Sequence, residues 1–439
     1  MDLYEIKARI ADAGVQVIRL WFTDILGRIK GFNLNLSELE RALEEGIGFD
    51  GSSVEGFVRI EESDLIAKPD PETLVIFPDD LGGVPSAVFM CDIQYPDGRP
   101  YESDPRYVLR KNLQKAHAMG FEYYTGPELE YFYFPSDSEP KPLDAGGYFD
   151  VFPMDRATLA RKEALLTLNQ MGITVEASHH EVAYSQHELD FRYQPALRMA
   201  DYLQIARAVV KEKARKYGLY ATFMPKPIQG INGSGLHVHQ SLFRGQENAF
   251  YSETGEYNLS PVAAGFIAGL LKHAPEITAV TNQWVNSYKR LVVGYEAPVY
   301  ITWGRRNRSA LVRVPAFKPH RSQSCRIEYR APDPAANPYL AFAVMLAAGL
   351  KGVEEQYPLP DPVEEDIFAM PEEVKARYGI DALPDSLYAA IQVMAQSDLV
   401  RETLGEELFE KYLRNKKTEW ERYRVAVTDY ELKTYLPSL

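Results

Sequence analysis

The stretch GPELEYFYF, residues 126–134, predicts a strand that presents Glu128 and Glu130 on one face, because a strand repeats every two residues. Two other stretches follow the same pattern with other polar groups. They are GLHVHQSLF at 235–243, with two histidines, and SCRIEYRAP at 324–332, with arginines on both sides of a glutamate. Any one of them is typical of a solvated edge strand. The three together favour a site where divalent ions and an anionic substrate lie between these charges.

Composition excludes several classes of protein. The chain has 439 residues, of which 46% are hydrophobic, and this length favours two or more domains. The formal net charge of −14 disfavours nucleic acid or an anionic membrane surface as the main partner, although 48 lysines and arginines can still build a local cationic pocket. The two cysteines, Cys91 and Cys325, indicate no disulfide framework and favour a reducing cytoplasm.

Neither a targeting signal nor a membrane span is expected. The stretch MDLYEIKARIADAG at 1–14 predicts an amphipathic helix, and it lacks the basic region and apolar run of a signal peptide. The longest apolar run, Tyr339 to Leu350, suits a buried helix and is too short to cross a bilayer. We therefore expect a cytoplasmic protein.

The first hundred residues predict a small α+β domain. A hairpin is expected over 15–34, and further strands over 74–80 and 86–95. The stretch LSELERALEEGIG at 36–48 predicts a helix with Ser37 as its N-cap and Gly46 near its end.

A new element begins after residue 103. Asp104 is a suitable N-cap, Pro105 suits the first helical position, and Gly120 is expected to stop the helix. We therefore divide the chain into domains 1–103 and 104–439.

The second domain is expected to combine strands, largely in hairpin pairs, with long helices. The predicted helices are Asp155–Met171, Leu197–Tyr217, Ser260–Ala274 and Pro338–Lys351, the last with Asn337 as its N-cap. The chain is helical and charged from Asp385 and ends in the aromatic tail DYELKTYLPSL at 429–439. Such a tail is more often held against another surface than free, and in a homo-oligomer that surface belongs to a neighbouring subunit.

A further acidic stretch, HHEVAYSQHEL at 179–189, places Glu181 and Glu188 around a turn. Each alone is more typical of the surface. Together with side chains of the polar strands, they form a set of five carboxylates and one imidazole. The set comprises Glu128, Glu130, Glu181, Glu188, Glu328 and His237. Such ligands suit Mg²⁺ or Mn²⁺ better than structural zinc. Two such ions would clamp a phosphate chain during phosphoryl transfer.

Arginines are concentrated between 286 and 315. The stretch contains Arg290, Glu296, Arg305, Arg306, Arg308 and Arg313. Arginine binds carboxylates and phosphates in bidentate fashion, although a solvated basic loop is expected for Arg305 and Arg306. The glycines of INGSGLHV at 231–238 would let the backbone approach a substrate closely, but no GK[ST] follows, so this is not a P-loop.

Five long segments together resemble bacterial type I glutamine synthetases. They are FDGSS at 49–53, GPELEYF at 126–132, NGSGLHVHQSL at 232–242, NSYKRL at 286–291 and RIEYRAPDPAANPY at 326–339. The resemblance implies an N-terminal β-grasp domain and a catalytic domain with a split antiparallel barrel backed by helices. It also implies a dodecamer of two stacked six-membered rings with active sites between subunits. The implied reaction joins ammonia to the γ-carboxylate of L-glutamate through a γ-glutamyl phosphate, at the expense of ATP.

The resemblance also assigns roles to single residues. One metal site is implied at Glu130, Glu181 and Glu188, and a second at Glu128, His237 and Glu328. Glutamate would be held by Arg290, Arg330 and the backbone at Asn232 and Gly233, while Arg308 would face the transferring phosphoryl group. The positions that match the nucleotide site are Glu176, Tyr193, His239, Ser241 and Arg326. The ammonium pocket would comprise Asp50 of the neighbouring subunit, Tyr148, Glu181 and Ser53, closed by a flap that carries Glu296.

Two departures from the adenylylated enterobacterial subtype distinguish this chain. Phe368 stands where that subtype has its modifiable tyrosine, and Gln323 lies where it has a nucleotide-contacting lysine. Both features resemble the shorter subtype that is inhibited by glutamine. Arg59 matches an arginine linked to that feedback, although a surface salt bridge with the acids of VRIEESD is nearly as well favoured.

Three rival functions are left open. A relative that ligates glutamate to a larger amine is disfavoured by Asp50 and Tyr148, which suit a small cation. A non-catalytic member kept for assembly is disfavoured by the full set of acids and arginines. Without the resemblance, the residues indicate a generic metal-dependent phosphotransferase.

Overall fold

The structure, a computed structural model, describes residues 1–54, 64–78, 83–305, 307–317 and 321–439, with the side chain of Ser53 also left undescribed. Within these ranges the chain forms two sheets and a set of helices. This mixed architecture confirms the predicted α+β class.

The N-terminal sheet has the order β2-β1-β6-β4-β3, with β5 also paired to β6. Its strands are β1 (Val17–Thr23), β2 (Ile29–Leu34), β3 (Ile47–Asp50), β4 (Asp64–Pro69), β5 (Val75–Phe77) and β6 (Ser86–Gln94). Strand β1 runs antiparallel to β2, as the predicted hairpin requires, and parallel to β6. The buried faces of β1 and β6 carry alternating apolar side chains, which pack with Ile6 and Ile10 of helix α1 (Leu3–Asp12).

The second helix of this domain, α2 (Leu39–Glu45), corrects one prediction. Ser37 is not its N-cap. The side chain of Asn35 instead caps a short 3-10 turn at Leu36–Glu38, and α2 follows without a side-chain cap of its own. Asn35 and Ser37 are both suitable caps two residues apart, and the extra turn makes Asn35 the capping residue. Gly46 ends the helix as predicted, with a φ of 76°.

The C-terminal sheet has the order β14-β15-β16-β12-β7-β9-β8. Strands β10 and β11 also pair with β7, and β13 pairs with β12. The strands are β7 (Glu122–Phe134), β8 (Val175–His180), β9 (Gln186–Phe191), β10 (Gln194–Pro195), β11 (Tyr220–Thr222), β12 (Leu236–Arg244), β13 (Glu247–Asn248), β14 (Trp303–Gly304), β15 (Val312–Arg313) and β16 (Ile327–Tyr329). The described pairings are antiparallel except that of β14 with β15.

Eleven helices accompany this sheet in the described part of the chain. They are α3 (Pro105–Ala118), α4 (Thr158–Gln170), α5 (Ala196–Lys216), α6 (Pro261–Thr281), α7 (Ser287–Arg290), α8 (Pro338–Glu354), α9 (Glu372–Arg377), α10 (Leu387–Met394), α11 (Asp398–Leu404), α12 (Glu406–Arg424) and α13 (Asp429–Thr434). Helices α3, α4, α5 and α6 pack directly against the strands of the sheet. The predicted caps Asp104 and Asn337 both accept from backbone N–H groups of the first turn. The predicted end of α6 at Ala274 is wrong, because the helix continues through Pro275 to Thr281. Its second half is buried, and packing there outweighs the lost backbone hydrogen bond.

Helices α6 and α8 cross at very short range. A Cβ on Gly352 would lie 2.1 Å from the carbonyl oxygen of Gly265, and one on Gly269 would lie 2.1 Å from that of Ala348. Only glycine lets the two backbones approach this closely. Both helices are apolar nearly all round, so they form the buried centre of the larger core.

A cluster of ion pairs connects the N-terminal sheet with helices of the C-terminal part of the chain. Arg106 of α3 forms ion pairs with Asp70 at 2.8 Å, with Asp201 of α5 at 3.0 Å and with Asp92 of β6. Arg110 also pairs with Asp92, at 2.9 Å. The division at residue 103, which remains a prediction, therefore falls beside a clamp that fixes the N-terminal sheet against α3 and α5.

The C-terminal tail is exposed in the single chain. Its large apolar side chains, including Val427, Leu436 and Leu439, lie on the surface around α13. Contact with a neighbouring subunit remains a prediction for them. Across the described helices, none combines the length and apolarity that a membrane crossing requires.

Candidate active site

The strand register brings the polar stretches together on one face. His237 of β12 lies opposite Glu128 of β7, and His239 lies opposite Glu328 of β16. On the other side of β7, Glu130 lies opposite Glu188 of β9. Side chains directly opposite on antiparallel strands are close neighbours, so acids and imidazoles from four separate parts of the sequence meet here.

These side chains line a cleft of about 310 Å³. The sequence-predicted residues around it are Glu128, Glu130, Tyr148, Glu181, Glu188, Asn232, Gly233, His237, Arg290, Glu296, Arg308, Glu328 and Arg330. The structure thus collects both implied metal sets and the implied glutamate site in one cavity.

The side of the cleft that we call the paired half comprises Glu128, His237, His239, Arg313, Glu328 and Arg330. The carboxylate of Glu128 accepts from His237 Nδ1 at 3.1 Å and from His239 Nε2 at 2.8 Å. Glu328 accepts from Arg330 Nε at 3.1 Å and from Arg313. Burial by itself would raise both pKa values, but the histidines hold the pKa of Glu128, and Arg330 that of Glu328, below the ordinary range.

The opposite side, which we call the crowded half, comprises Glu130, His179, Glu181, Glu188 and Asp190. Here burial, and next the charge of Glu181, raise the pKa of Glu130 to about 8. Burial and the charge of Glu130 raise the pKa of Glu188 well above its ordinary value. His179 lies 3.4 Å from Glu188 and 3.7 Å from Glu181, but among the described residues no lysine or arginine pairs with these three glutamates. Ionisation of all three glutamates therefore costs free energy in the protein alone, and a bound cation would favour their ionised forms.

The donor set fits divalent ions. The carboxylate and imidazole atoms of Glu128, His237 and Glu328 lie within 4.8 Å of one another, and so do those of His179, Glu188 and Asp190. Carboxylate oxygens with a few imidazoles suit Mg²⁺ or Mn²⁺. The implied set of Glu130, Glu181 and Glu188 overlaps the second cluster only at Glu188.

Gln186, which the sequence analysis missed, orients one of these carboxylates. Glu130 Oε2 accepts from Gln186 Nε2 at 2.8 Å and from the backbone N–H of Gly235 at 2.9 Å. Both contacts fall on Oε2, so Oε1 is left facing the cleft. Gln186 Nε2 also donates to the carbonyl of Gly233 at 3.1 Å. The only local signal was its place in β9, two residues before Glu188 and hence on the same face.

The arginines occupy different depths. Arg290 is 2% exposed, and its guanidinium donates to the carbonyls of Ala331 at 2.7 Å, Pro332 at 3.1 Å and Arg330 at 3.2 Å. Arg330 donates to the backbone carbonyl of Arg308, whose own side chain is exposed. The guanidiniums of Arg290 and Arg330 are thus anchored by backbone carbonyls, whereas the exposed side chain of Arg308 lies at the mouth of the cleft beside Tyr148.

Glu296 lies at the rim in a strained conformation. Its φ of 55° is left-handed, which glutamate rarely adopts, and its carboxylate accepts from Asn232 Nδ2 at 2.8 Å. This hydrogen bond holds the segment that carries Glu296 over the implied glutamate site.

A second cavity of about 370 Å³ adjoins the first, since Glu128 and Asp190 line both. All five residues assigned to the nucleotide line it, namely Glu176, Tyr193, His239, Ser241 and Arg326. Gln323 lines it too, and its amide donates to the carbonyl of Gln246 at 2.8 Å. The rings of Tyr193 and Phe243 lie nearly parallel, 6.4 Å apart, beside this cavity.

Of the remaining assigned residues, only Asp50 has a described side chain. Asp50 is exposed at the end of β3, and among the described residues it lines neither cavity. Hydrogen bonds from Ser52 lower its pKa, so it is ionised at neutral pH. The side chain of Ser53, together with Arg59, lies outside the described residues. An exposed, ionised Asp50 is consistent with a role in a neighbouring subunit, which remains a prediction.

Comparison with known proteins places this geometry in a family. The profile "Glutamine synthetase, catalytic domain" matches residues 102–435, and "Glutamine synthetase, beta-Grasp domain" matches residues 14–96, as predicted for the N-terminal domain. The chain is 52% identical over 433 residues to the glutamine synthetase of Mycolicibacterium smegmatis, covering 97% of each chain. It is 48% identical over 440 residues to that of Thermotoga maritima, covering 99% of this chain and 100% of the other. A solved GmaS/ADP complex superposes with a TM-score of 0.89 at 31% identity, covering 99% of both chains.

Proposed function

The chain belongs to the glutamine synthetase family, and from that premise we infer which of its residues carry the reaction. It is a glutamate–ammonia ligase, which forms glutamine from glutamate and ammonia with ATP. Separate binding sites for glutamate and for the nucleotide are supported by the two adjoining cavities, which share Glu128 and Asp190. There, a nucleotide in one cavity and glutamate in the other would meet at the carboxylates.

The chemistry has two steps. A γ-carboxylate oxygen of glutamate attacks the γ-phosphorus of ATP, and ADP leaves, which gives a γ-glutamyl phosphate. Ammonia then attacks the acyl carbon, phosphate leaves with the electrons of the C–O bond, and the nitrogen loses a proton. The residues must therefore neutralise moving phosphate charge, bind a small cation, accept a proton and exclude water.

Two ions, Mg²⁺ or Mn²⁺, would be held by the two halves. Glu130, Glu181 and Glu188 would hold one, and Glu128, His237 and Glu328 the other. Bound there, such ions supply positive charge that offsets the phosphate chain. Removal of bound metal with a chelator, followed by calorimetric titration of Mn²⁺, tests for two sites per subunit.

Glutamate would lie against Arg330, Arg290 and the backbone of Asn232 and Gly233 at the floor of the first cavity. Arg308 at its mouth would face the transferring phosphoryl group. An exposed guanidinium at the mouth is suited to charge that appears only during transfer.

ATP would occupy the second cavity, among Glu176, Tyr193, His239, Ser241 and Arg326. The support is the full set of lining residues together with the related GmaS structure, which is a complex with ADP.

The ammonium pocket would combine Tyr148, Glu181 and Ser53 with Asp50 of a neighbouring subunit, and Glu296 would close it. Asp50→Asn should then raise the ammonium requirement and slow amide formation more than acyl phosphate formation, because the amide is neutral and a poor base. Hydroxylamine, neutral near pH 7, should be affected less. Equal losses with both nucleophiles would refute this role for Asp50.

Assembly as a dodecamer of two hexameric rings would supply that neighbour. Mixing Asp50→Asn subunits with subunits of an Arg330 variant tests the arrangement. A site that takes Asp50 from the Arg330 variant and Arg330 from the Asp50 variant has both residues intact and should regain activity. Sizing of the native particle gives the number of subunits. Failure of the mixture to regain activity would confine each site to one chain.

Regulation by glutamine rather than by adenylylation is our proposal for the subtype. Phe368 lies in a short turn at Ile367–Ala369 and has no hydroxyl to modify. Arg59, which lies outside the described residues, is proposed to act in glutamine feedback. Arg59→Ala should weaken inhibition by glutamine while turnover is kept, and unchanged inhibition would make Arg59 a surface charge.

The location is proposed to be the cytoplasm, since both cysteines are buried and unpaired. Ligase assays that compare ammonium with ethylamine and polyamines test for a preference for larger amines, and we expect ammonium to be the preferred substrate. Phosphate release that requires both glutamate and ammonium excludes a generic phosphotransferase.

A further inference from the structure

The segment 144–150, which carries Tyr148 and Phe149 to the wall of the cleft, is tied to the turn that carries Glu181 by a buried pair that none of the assigned roles uses. The pair is Asp144 and His180, whose side chains are 2% and 0% exposed. They form a hydrogen bond of 3.2 Å between Asp144 Oδ1 and His180 Nε2.

Asp144 is the centre of this attachment. Its Oδ1 also accepts from the backbone N–H of Ser185 at 3.0 Å, and its Oδ2 accepts from that of Arg156 at 3.2 Å. One carboxylate thus connects the β8–β9 turn with both ends of the loop that precedes α4.

His180 continues the connection into the active site. Its Nδ1 donates to the carbonyl of Glu181 at 2.7 Å, and its own carbonyl accepts from the backbone N–H of Phe149 at 3.1 Å. Phe149 has a left-handed φ of 63°, a strained conformation that persists only where the surroundings enforce it.

The wall that results is aromatic. The rings of Tyr148 and Phe149 stack with centroids 4.0 Å apart, and both meet the edge of His179, at 5.5 and 4.7 Å. Tyr148, Phe149 and Glu181 all line the cleft. A shift of the segment would therefore move Tyr148 relative to Glu181.

Gly146 shows how tightly the pair is enclosed. A Cβ on Gly146 would lie 2.8 Å from His180 Nε2 and 3.2 Å from two carbon atoms of the ring, so a methyl group would displace the imidazole. A Cβ on the adjacent Gly147 would meet only Asp150 Oδ2, at an ordinary 3.8 Å. The chain thus offers a disruptive substitution and a matched control one residue apart.

We propose that Asp144 and His180 are positioning residues that hold Tyr148 beside Glu181 and so set the geometry of the ammonium site. This inference rests on the proposed ammonium pocket. Neither residue touches the substrate; they act through the backbone of the segment 144–150 and of Glu181.

Steady-state kinetics of the full assembly tests the proposal. Gly146→Ala should raise KM for ammonium by roughly tenfold or more, since displacements of about 1 Å cost large factors, with KM for glutamate and for ATP changed less than about twofold. Gly147→Ala should leave all three constants unchanged. Equal changes in all three constants, or none, for Gly146→Ala would overturn the proposal.

Two further variants keep the outcome decisive. If Gly146→Ala fails to assemble, Asp144→Asn and Asp144→Ala replace it, and the asparagine, which retains an acceptor oxygen, should keep a KM for ammonium closer to the parent. Equal KM values for ammonium in the two Asp144 variants would refute the positioning role.

Tyr148→Phe separates this inference from its premise, the proposed ammonium pocket. If it leaves the ammonium requirement unchanged, the proposed pocket fails, whereas a raised requirement with a normal Gly146→Ala refutes the role of the pair.

Discussion

In the paired half of the cleft, two carboxylates each accept hydrogen bonds from two basic side chains. In the crowded half, the basic groups that the described residues bring near the glutamates are more distant histidines: His179 lies 3.4 Å from Glu188 and 3.7 Å from Glu181, and His237 lies 3.8 Å from Glu130. The consequences for acidity are opposite. The pKa of Glu128 and of Glu328 is lowered despite burial, and the pKa of Glu130, Glu181 and Glu188 is raised by it.

The two halves differ in how far each is stabilised before any ion binds. The paired half is electrostatically complete in the protein alone, so an ion there competes with histidines and arginines for the same oxygens. The crowded half is under charge repulsion until a cation enters. We therefore expect metal to be structural for the crowded half and mainly chemical for the paired half.

The largest expected effect is on turnover. Glu130→Ala and Glu328→Ala should each reduce glutamine formation by roughly a hundredfold or more, because each deletes a charged group proposed to hold an ion for phosphoryl transfer. The assay is run at saturating Mg²⁺, with native sizing to show that the particle remains assembled. Near-normal activity for either variant would remove that residue from the ion site.

A stability measurement without metal separates the halves. In chelator, Glu328→Gln should lower the free energy of unfolding by about 2 kcal/mol, because it leaves the charges of Arg313 and Arg330 without their shared carboxylate. Denaturant unfolding of the assembled protein measures it. No loss of stability would show that the paired half is not held by these ion pairs.

The matched substitution in the crowded half should have the opposite sign. In chelator at pH 8, Glu188→Gln removes one member of a repelling trio and should raise the free energy of unfolding by about 1 kcal/mol. The same variant should lose its advantage when Mg²⁺ is added. Destabilisation in chelator would mean that Glu188 has a favourable partner and that the halves do not differ as described.

The smallest effect is a dependence on pH. The pKa of Glu130 is raised from 4.5 to about 8 in the folded protein, so between these values the folded state keeps a proton that the unfolded state has lost. Stability must then fall as pH rises through this window. In chelator the Tm should decrease by a few degrees from pH 6 to pH 8, and saturating Mg²⁺ should flatten the slope. A Tm that rises with pH in chelator would contradict the raised pKa.

The sequence correctly predicted features that depend only on neighbouring residues, such as the alternation of side chains along a strand and the N-cap of a helix. The alternation at 126–134 placed Glu128 and Glu130 on one face, and Asp104 and Asn337 cap their helices. It failed where two local signals compete or where packing outweighs them, as at Ser37 and at Pro275.

The charge difference between the two halves could not be predicted from the residues alone. It depends on which strands become neighbours: β12 pairs with β7, and β16 pairs with β12, from distant parts of the chain. Gln186 and the Asp144–His180 pair were missed for the same reason. Each acts on a partner that only the fold brings near, although Gln186 and His180 both lie within the acidic stretch at 179–189.

The close crossing of α6 and α8 restricts how these two helices can move apart. Helices whose backbones touch at Gly265, Gly269 and Gly352 cannot separate by small steps, because no side chains lie between them to yield. Their amide protons should exchange with solvent only when the whole domain opens. This pair of helices is then as long-lived as the fold itself, and we expect the opening and closing that admits substrates to involve rim segments such as the one that carries Glu296.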